Sequence, residues 1–368
     1  MINSDKEVFM SSLLKKDNVK DTERYRYYDL IRVISLGLIV LYHMLVYLYS
    51  SGVYTFEEVA VYFQNPNMHI ATLSVSVFFI LSGAGLITSA DKSYSVKSFY
   101  KKRFIRLMPS FYIVNILLYV YLWIKLKGIG LPDIPRWRFI YSFLGIDGWL
   151  AIHKVPTFYK AIGEWFLGAI IILYVLFPVF KFFVDKYPKI FFVVSACVYV
   201  ITAYSGISFK VPLWENLIIK GCEFILGMYF GRYFKRFPSK CMYVSFPVLV
   251  YFIVSKSALN INVALKITMA SVAFFVSCSF FEELLKKYKL RILDFLSSVS
   301  YEVLLVHHFI ILDMGSWLSK WYVNKYMILL MFLYQFIVII IVAFLVKLLT
   351  KYVLKLIKKI AVREKTEK

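Results

Sequence analysis

The feature that most constrains this chain is a series of mostly apolar blocks, which alternate with short polar segments. A helix needs about 20 apolar residues to cross a hydrocarbon core of roughly 30 Å. Hydrophobic residues make up 60% of the sequence, against about 45–50% in soluble domains. The chain is therefore expected to be all-α, a polytopic membrane helical bundle of about ten transmembrane helices, from blocks at 30–50, 69–89, 109–126, 163–184, 189–207, 213–232, 241–257, 260–281, 295–316 and 327–350.

The lysines and arginines indicate how such a bundle lies in the membrane. Of these 44 residues, 31 fall on the side of the N-terminus, nine fall on the opposite side and four lie within the blocks. Cytoplasmic loops are enriched in Lys and Arg. We therefore expect a multi-pass protein of the cell (plasma or inner) membrane with both termini in the cytoplasm. Because the positive charges lie between apolar blocks, they do not indicate nucleic acid as a partner.

The same pattern divides the chain into three parts. Residues 1–28 are expected to be a charged cytoplasmic segment, 29–350 one membrane domain and 351–368 a basic cytoplasmic tail. The longest segment on the outer side, 127–162, fits either a lid that binds an acceptor or a plain connector. The four cysteines form no CxxC pair and have no histidine at metal-ligand spacing. We expect free thiols and no metal site.

Two histidines lie inside apolar blocks at matching depth. His43 is about 13 residues into the first block and His307 about 12 into the ninth, at 1.5 Å of rise per residue. Both blocks would start from the cytoplasmic side, so the two imidazoles would lie at one level. Imidazole exchanges protons near neutral pH, and ionisable groups inside a membrane are usually functional. The alternative is a histidine that only hydrogen-bonds to a neighbouring helix.

Other polar residues share helix faces with these histidines. Asp29 and Arg32 are three residues apart and can pair, and Arg32 shares a face with His43 across three turns. Ser300 lies seven residues before His307 and shares its face. Glu302 and His308, on the same block as His307, are expected to point elsewhere.

Two further arginines lie at the predicted cytoplasmic surface. Arg103 and Arg106 are three residues apart in the segment SFYKKRFIRLMPSF. Paired guanidinium groups bind phosphate oxygens well. The alternative is the ordinary excess of positive charge in cytoplasmic loops. The sequence has no Walker A loop and no GxGxxG pattern, so neither nucleotide hydrolysis nor dinucleotide binding is indicated.

Five segments resemble, in chain order, motifs of the acyltransferase-3 family of integral membrane acyltransferases. They are RYYDLIRVISLGLIVLYH, SVSVFFILSGAGLI, FYKKRFIRLMPSF, GEWFLGAIIILYVLFP and SSVSYEVLLVHHFII. The resemblance covers residues 26 to about 345 and is carried by Asp29, Arg32, His43, Phe78, Phe79, Leu81, Ser82, Gly83, Arg103, Arg106, Pro109, Glu164, Trp165, Ser300, Tyr301, Leu305 and His307. The chain departs from the family pattern in placing Glu164 directly before Trp165, and His308 where an aromatic residue is common.

The resemblance implies transfer of an acyl group, usually acetyl, from cytoplasmic acyl-CoA to a hydroxyl of a cell-surface polysaccharide or lipid-linked glycan. In this hypothesis His43 and His307 form the catalytic centre with Asp29 and Arg32. The coenzyme A phosphates would bind Arg103, Arg106 and Arg32. The substrate-binding candidates are Ser82, Glu164, Trp165 and Ser300. The main alternative is a transporter or flippase of a cell-envelope precursor, and a glycan polymerase or ligase is the third possibility.

Overall fold

The structure is a computed structural model that describes residues 25–65, 67–90, 94–126, 134–158, 164–206, 211–234, 237–288, 290–318 and 327–366. Within these residues the chain is helical and contains no β-strand. Three short 3-10 turns occur at Arg136–Arg138, Leu213–Glu215 and Ser239–Cys241. The α-helices are α1 Arg26–Ser50, α2 Phe56–Phe63, α3 Ile70–Ser89, α4 Val96–Leu126, α5 Phe139–Leu144, α6 Asp147–Ile152, α7 Glu164–Lys186, α8 Pro188–Tyr204, α9 Leu217–Tyr233, α10 Met242–Val254, α11 Val263–Ser279, α12 Glu282–Tyr288, α13 Arg291–Leu318 and α14 Met327–Thr366.

Six of the described helices are long and apolar enough to cross a membrane, namely α1, α3, α4, α7, α13 and α14. The pair α11 and α12, bent by 45°, would make a seventh. Each of the ten predicted blocks overlaps a helix, but α8 and α9, with 17 residues each, and α10, with 13, are shorter than all six of these helices. The all-helical character is confirmed for the described residues, with six or seven helices long and apolar enough to cross a membrane. The number of ten spans and the cytoplasmic position of both termini stay predictions.

Helix α1 begins before the apolar block that predicted it, because its first turn is anchored. The backbone N–H of Tyr27 donates to a carboxylate oxygen of Glu282 on α12 at 2.8 Å. Arg26 forms a salt bridge of 3.1 Å with Asp294 on α13. The first N–H groups of a helix have no partner within the helix, so Glu282 stabilises this start.

Helices α3 and α9 cross with almost no side chain between them. A Cβ atom at Gly83 would lie 1.9 Å from the carbonyl oxygen of Phe224, and one at Gly227 would lie 1.9 Å from that of Ile80. Gly227 and Gly231 form a GxxxG pattern on α9, which typically marks close packing of membrane helices. This packing explains why glycine occupies position 83 beside the predicted substrate residue Ser82.

Helix α9, which forms from the block 213–232, also carries two charged residues in the first half of its apolar sequence. Lys220 and Glu223 form a fully buried ion pair of 3.0 Å. The Lys220 ammonium donates to Ser76 on α3 at 2.6 Å, and Thr268 on α11 donates to the Glu223 carboxylate at 2.7 Å. The Tyr199 hydroxyl of α8 contacts Thr268 at 2.7 Å. Because their polar partners lie inside the bundle, these charges face inward, away from the lipid.

The described part of the long segment, 134–158, folds against α7. A Cβ atom at Gly168 of α7 would lie 2.6 Å from the Cβ atom of Trp149, so α6 packs directly on the helix backbone. The buried Asp147 accepts hydrogen bonds from the Ser142 hydroxyl at 2.8 Å and from the Gly148 N–H at 2.9 Å. Gly168 lies one turn beyond Trp165, so this segment lies near a predicted site residue.

Candidate active site

A cavity of about 210 Å³ contains the two predicted histidines, and we call it the histidine chamber. Helices α1, α3, α7 and α13 and the turn before α9 supply its walls. The lining comprises Ile39, Tyr42, His43, Ala71, Thr72, Val75, Trp165, Phe166, Trp214, Glu215, Leu304 and His307. The prediction that His43 and His307 lie at one depth is therefore consistent with the structure, and Trp165 lies beside them.

The imidazole rings contact each other directly. The ring centroids of His43 and His307 are 5.3 Å apart. The ring of His308 stacks on that of His43 with 4.9 Å between centroids and 27° between planes. The expectation that His308 points away from this site was wrong, because the His43 ring is close enough to contact both consecutive residues of α13. Sequence reasoning missed His308, although its position beside His307 was a signal.

The buried His307 has a defined proton arrangement. Its Nδ1 lies 3.1 Å from the carbonyl oxygen of Val303 and 2.9 Å from that of Leu304. Carbonyl oxygens only accept hydrogen bonds, so in the neutral ring Nδ1 carries the hydrogen and Nε2 is the basic nitrogen. Helix α13 therefore provides a preset proton acceptor inside the bundle.

The predicted arginines line a second cavity of about 300 Å³, the arginine cavity. Its walls include Arg32 of α1, Arg103 and Arg106 of α4, Ser82 of α3 and Ser300 of α13. Both α4 arginines are inside the helix, which begins at Val96, well before the apolar block. The structure thus brings together the three arginines and two serines that the sequence analysis proposed for donor and substrate binding.

Arg32 is held in place by the partner that the sequence predicted. Its Nη1 donates to the Asp29 carboxylate at 2.9 Å and contacts the Ser297 hydroxyl of α13 at 2.8 Å. The same hydroxyl donates to Asp29 at 2.5 Å. The pairing of Asp29 with Arg32 is consistent with the predicted spacing. Sequence reasoning missed Ser297, which lies one turn before Ser300.

Arg103 reaches the arginine cavity between aromatic rings. Its guanidinium carbon lies 5.6 Å from the centre of the Phe99 ring and 6.0 Å from that of Tyr174. Its Nε is buried without a hydrogen-bond partner among the described residues. A buried donor of this kind is expected to find a partner, and an anionic ligand in the cavity would supply one.

A third cavity, of about 580 Å³, continues from the arginine cavity, and we call it the Asp29 cavity. Both cavities are lined by Arg32, Arg106 and Ser300, while Asp29 and Lys347 line only the larger one. Asp29 thus lies with Arg32 and Arg106 and does not line the histidine chamber.

Two side chains lie between the arginine cavity and the histidine chamber. Phe166 of α7 and Leu304 of α13 line both spaces. The ring of Phe166 packs edge-on against Phe79 of α3, with 5.0 Å between centroids. The three cavities are therefore neighbours, in the order of the Asp29 cavity, the arginine cavity and the histidine chamber.

The remaining predicted residue is Glu164. Helix α7 begins at Glu164, but its side chain lies outside the described part of the structure. Sequence reasoning missed Tyr42, Trp214 and Glu215, which line the histidine chamber. Within the described residues, no three His, Cys, Asp or Glu side chains are arranged to hold a metal ion.

Comparison with known proteins identifies the family. The acyltransferase-3 family, described as an acyltransferase domain, matches residues 25–352. A protein of Streptomyces mycarofaciens described as "Acyltransferase MdmB" is 32% identical over 125 residues, which span 33% of this chain and 32% of that protein. No solved structure gives a significant match. Because the family match covers nearly the whole chain, including both histidines and all three arginines, the chain belongs to the acyltransferase-3 family.

Proposed function

We propose that this protein is an O-acetyltransferase that moves an acetyl group from cytoplasmic acetyl-CoA to a hydroxyl of a cell-surface polysaccharide or lipid-linked glycan. The observation that carries the proposal is that a cavity lined by three arginines lies next to a chamber lined by two imidazoles, with Phe166 and Leu304 lining both. A donor with an anionic head and a long thioester arm would fit this arrangement, with its arm passing between Phe166 and Leu304.

The arginine end is suited to the phosphates of coenzyme A. Arg32, Arg103 and Arg106 line the arginine cavity, and Lys347 lines the adjoining Asp29 cavity. Phosphate oxygens accept charge-assisted hydrogen bonds from guanidinium groups. Asp29 and Ser297 hold Arg32 in place, so Asp29 acts by positioning this arginine. The excess of Lys and Arg on the N-terminal side supports placing this end in the cytoplasm.

The histidine chamber is suited to acyl transfer by general acid–base catalysis. His43 takes the proton from the acceptor hydroxyl while the hydroxyl oxygen attacks the thioester carbonyl carbon. The carbon–sulfur bond then breaks, and the imidazolium returns the proton to the departing thiolate. His307 offers a basic Nε2 because its Nδ1–H bonds to carbonyls of α13, so it can orient the hydroxyl or relay the proton.

Other predicted residues take supporting roles in this scheme. Ser82 and Ser300 line the arginine cavity, where their hydroxyls can contact the donor arm. Trp165 lines the histidine chamber and excludes water from it, which strengthens electrostatic stabilisation of the transition state. Glu164 immediately precedes Trp165 and is kept as a substrate-binding candidate.

The test measures transfer of radiolabelled acetyl from acetyl-CoA in membranes that contain the wild type, His43→Ala or His307→Ala at matched expression. We expect label in a glycan or lipid-linked fraction with the wild type. Each variant should lose at least about 100-fold of this transfer, in the usual range for a general base. Equal label with His43→Ala would remove His43 from catalysis. No label above empty membranes from any acyl-CoA would contradict the proposal and favour the transporter or flippase.

A further inference from the structure

The histidine chamber has a second end that the donor path does not use. Trp214 and Glu215, in the 3-10 turn before α9, line this end together with Thr72 of α3. Behind them the ring of His69 lies 6.1 Å from the Trp214 ring and 6.2 Å from the Tyr42 ring, measured between centroids. Trp214, Glu215 and His69 are each only partly exposed.

This second end lies away from the arginines, as the helix directions require. Helix α3 runs from Ile70 near the histidine chamber to Ser82 and Ser89 in the arginine cavity. Helix α1 runs the other way, from Arg32 to His43. His69 and Trp214 precede the first turns of α3 and α9. They therefore lie at the ends of these helices, opposite the donor end.

The chemistry of this end favours a neutral ligand rich in hydroxyl groups. Glu215 supplies carboxylate oxygens that accept hydrogen bonds from hydroxyls and repel phosphate. The indoles of Trp214 and Trp165 offer flat apolar faces with a polar N–H edge, which suit the C–H faces of a sugar ring. Ligand sites commonly combine aromatic walls with a few polar groups of this kind.

We propose that Trp214 and Glu215 form the acceptor subsite, and that the acceptor presents a neutral saccharide ring to it. The ring stacks on Trp214, Glu215 accepts a hydrogen bond from a hydroxyl that does not react, and the reacting hydroxyl points to His43 and His307. This inference rests on the proposed acetyltransferase function and assigns its acceptor side to residues with no other role in it.

The test uses the full chain in lipid nanodiscs. Transfer from labelled acetyl-CoA is measured against rising amounts of a cell-envelope glycan and lipid-linked fraction from source cells that lack the gene. The variants are Trp214→Ala, Trp214→Phe and Glu215→Gln. Trp123→Ala is the matched control, because Trp123 is 60% exposed on α4. Acetyl-CoA affinity is measured in parallel for every variant.

We expect Trp214→Ala and Glu215→Gln to lower transfer at limiting acceptor at least tenfold, with acetyl-CoA affinity within twofold of the wild type. Trp214→Phe should keep more transfer than Trp214→Ala, because a phenyl ring still stacks. Unchanged transfer in these variants, a parallel loss of acetyl-CoA affinity, or label confined to a product without sugar would each overturn the inference. Absence of transfer by the wild type would instead contradict the proposed function itself.

Discussion

At the scale of single residues, the His43 ring contacts two imidazoles, those of His307 and His308, although the sequence predicted only His307 as its partner in the site. His43 and His307 could be predicted because both lie deep in apolar blocks that start on the same side. His308 could not, because its direction depends on how α1 packs against α13. Its stacking on His43 at 4.9 Å indicates that it positions this ring.

Replacing His308 separates the effect of its ring from that of its proton. We expect His308→Phe to keep acetyl transfer within about threefold of the wild type, because a phenyl ring preserves stacking worth about 1 kcal/mol. His308→Ala should lower transfer about tenfold, because the His43 ring loses its support. The measurement is initial transfer rate as a function of pH. If His308→Phe is as impaired as His308→Ala, the imidazole itself takes part in proton transfer.

Ser297 provides a second residue-scale prediction, at the donor end. Ser297→Ala removes the hydroxyl that contacts both Asp29 and Arg32, so Arg32 should lose part of its fixed position. We expect the KM for acetyl-CoA to rise about three- to tenfold with kcat little changed, in keeping with the loss of one ordinary hydrogen bond. Ser50→Ala is the control, because the exposed Ser50 hydroxyl donates to its own helix at Tyr47 and the residue lines none of the three cavities. A fall in kcat alone would contradict a role in donor binding.

At the scale of helices, the crossing of α3 and α9 depends on missing side chains. Gly227→Ala places a Cβ atom 1.9 Å from the Ile80 carbonyl oxygen, and a backbone atom cannot move aside cheaply. We expect a destabilisation of about 1–3 kcal/mol, measured as a lower thermal unfolding temperature in detergent. Gly37→Ala is the control, because no atom lies within 4 Å of its Cβ position. If Gly227→Ala unfolds at the same temperature as the wild type, α3 and α9 can move apart without loss of stability.

The short helix α6 should respond to pH through Asp147. Burial raises the pKa of the Asp147 carboxyl, while hydrogen bonds from Ser142 and the Gly148 N–H partly offset this rise. A raised pKa means that the folded segment favours the protonated carboxyl. The stability that the protonated Asp147 carboxyl contributes is complete below its unfolded-state pKa of about 3.9. This stability is lost as the pH rises through the pKa of the carboxyl in the folded protein.

Asp147→Asn should therefore remove this pH dependence, because an amide stays neutral and can still hydrogen-bond to Ser142. We expect hydrogen-exchange protection of α6, corrected for intrinsic rates, to fall with rising pH in the wild type and to stay level in the variant. At neutral pH the variant should be the better protected of the two. Protection that rises with pH in the wild type would mean that the ionised carboxylate is preferred.

At the scale of the whole molecule, apolar length predicted the helices but not every contact between them. Each of the ten blocks overlaps a helix of the described residues, although only six or seven helices are long and apolar enough to cross a membrane. The pairing of Asp29 with Arg32 could be predicted from their spacing, since the two residues are one helical turn apart. The position of Phe166 between two cavities and that of Trp214 at the second end depend on tertiary packing among several helices, so the sequence could not reveal them.

Orientation is the remaining whole-molecule prediction, and the donor itself can test it. The excess of Lys and Arg on the N-terminal side predicts that the arginine cavity faces the cytoplasm, and acetyl-CoA does not cross lipid bilayers. We expect acetyl-CoA outside sealed inverted vesicles to support transfer at once. Right-side-out vesicles should stay inactive until they are permeabilised. The control is total activity after permeabilisation, which must be equal in both preparations. Activity only in sealed right-side-out vesicles would reverse the orientation, because the arginine end would then face away from the cytoplasm.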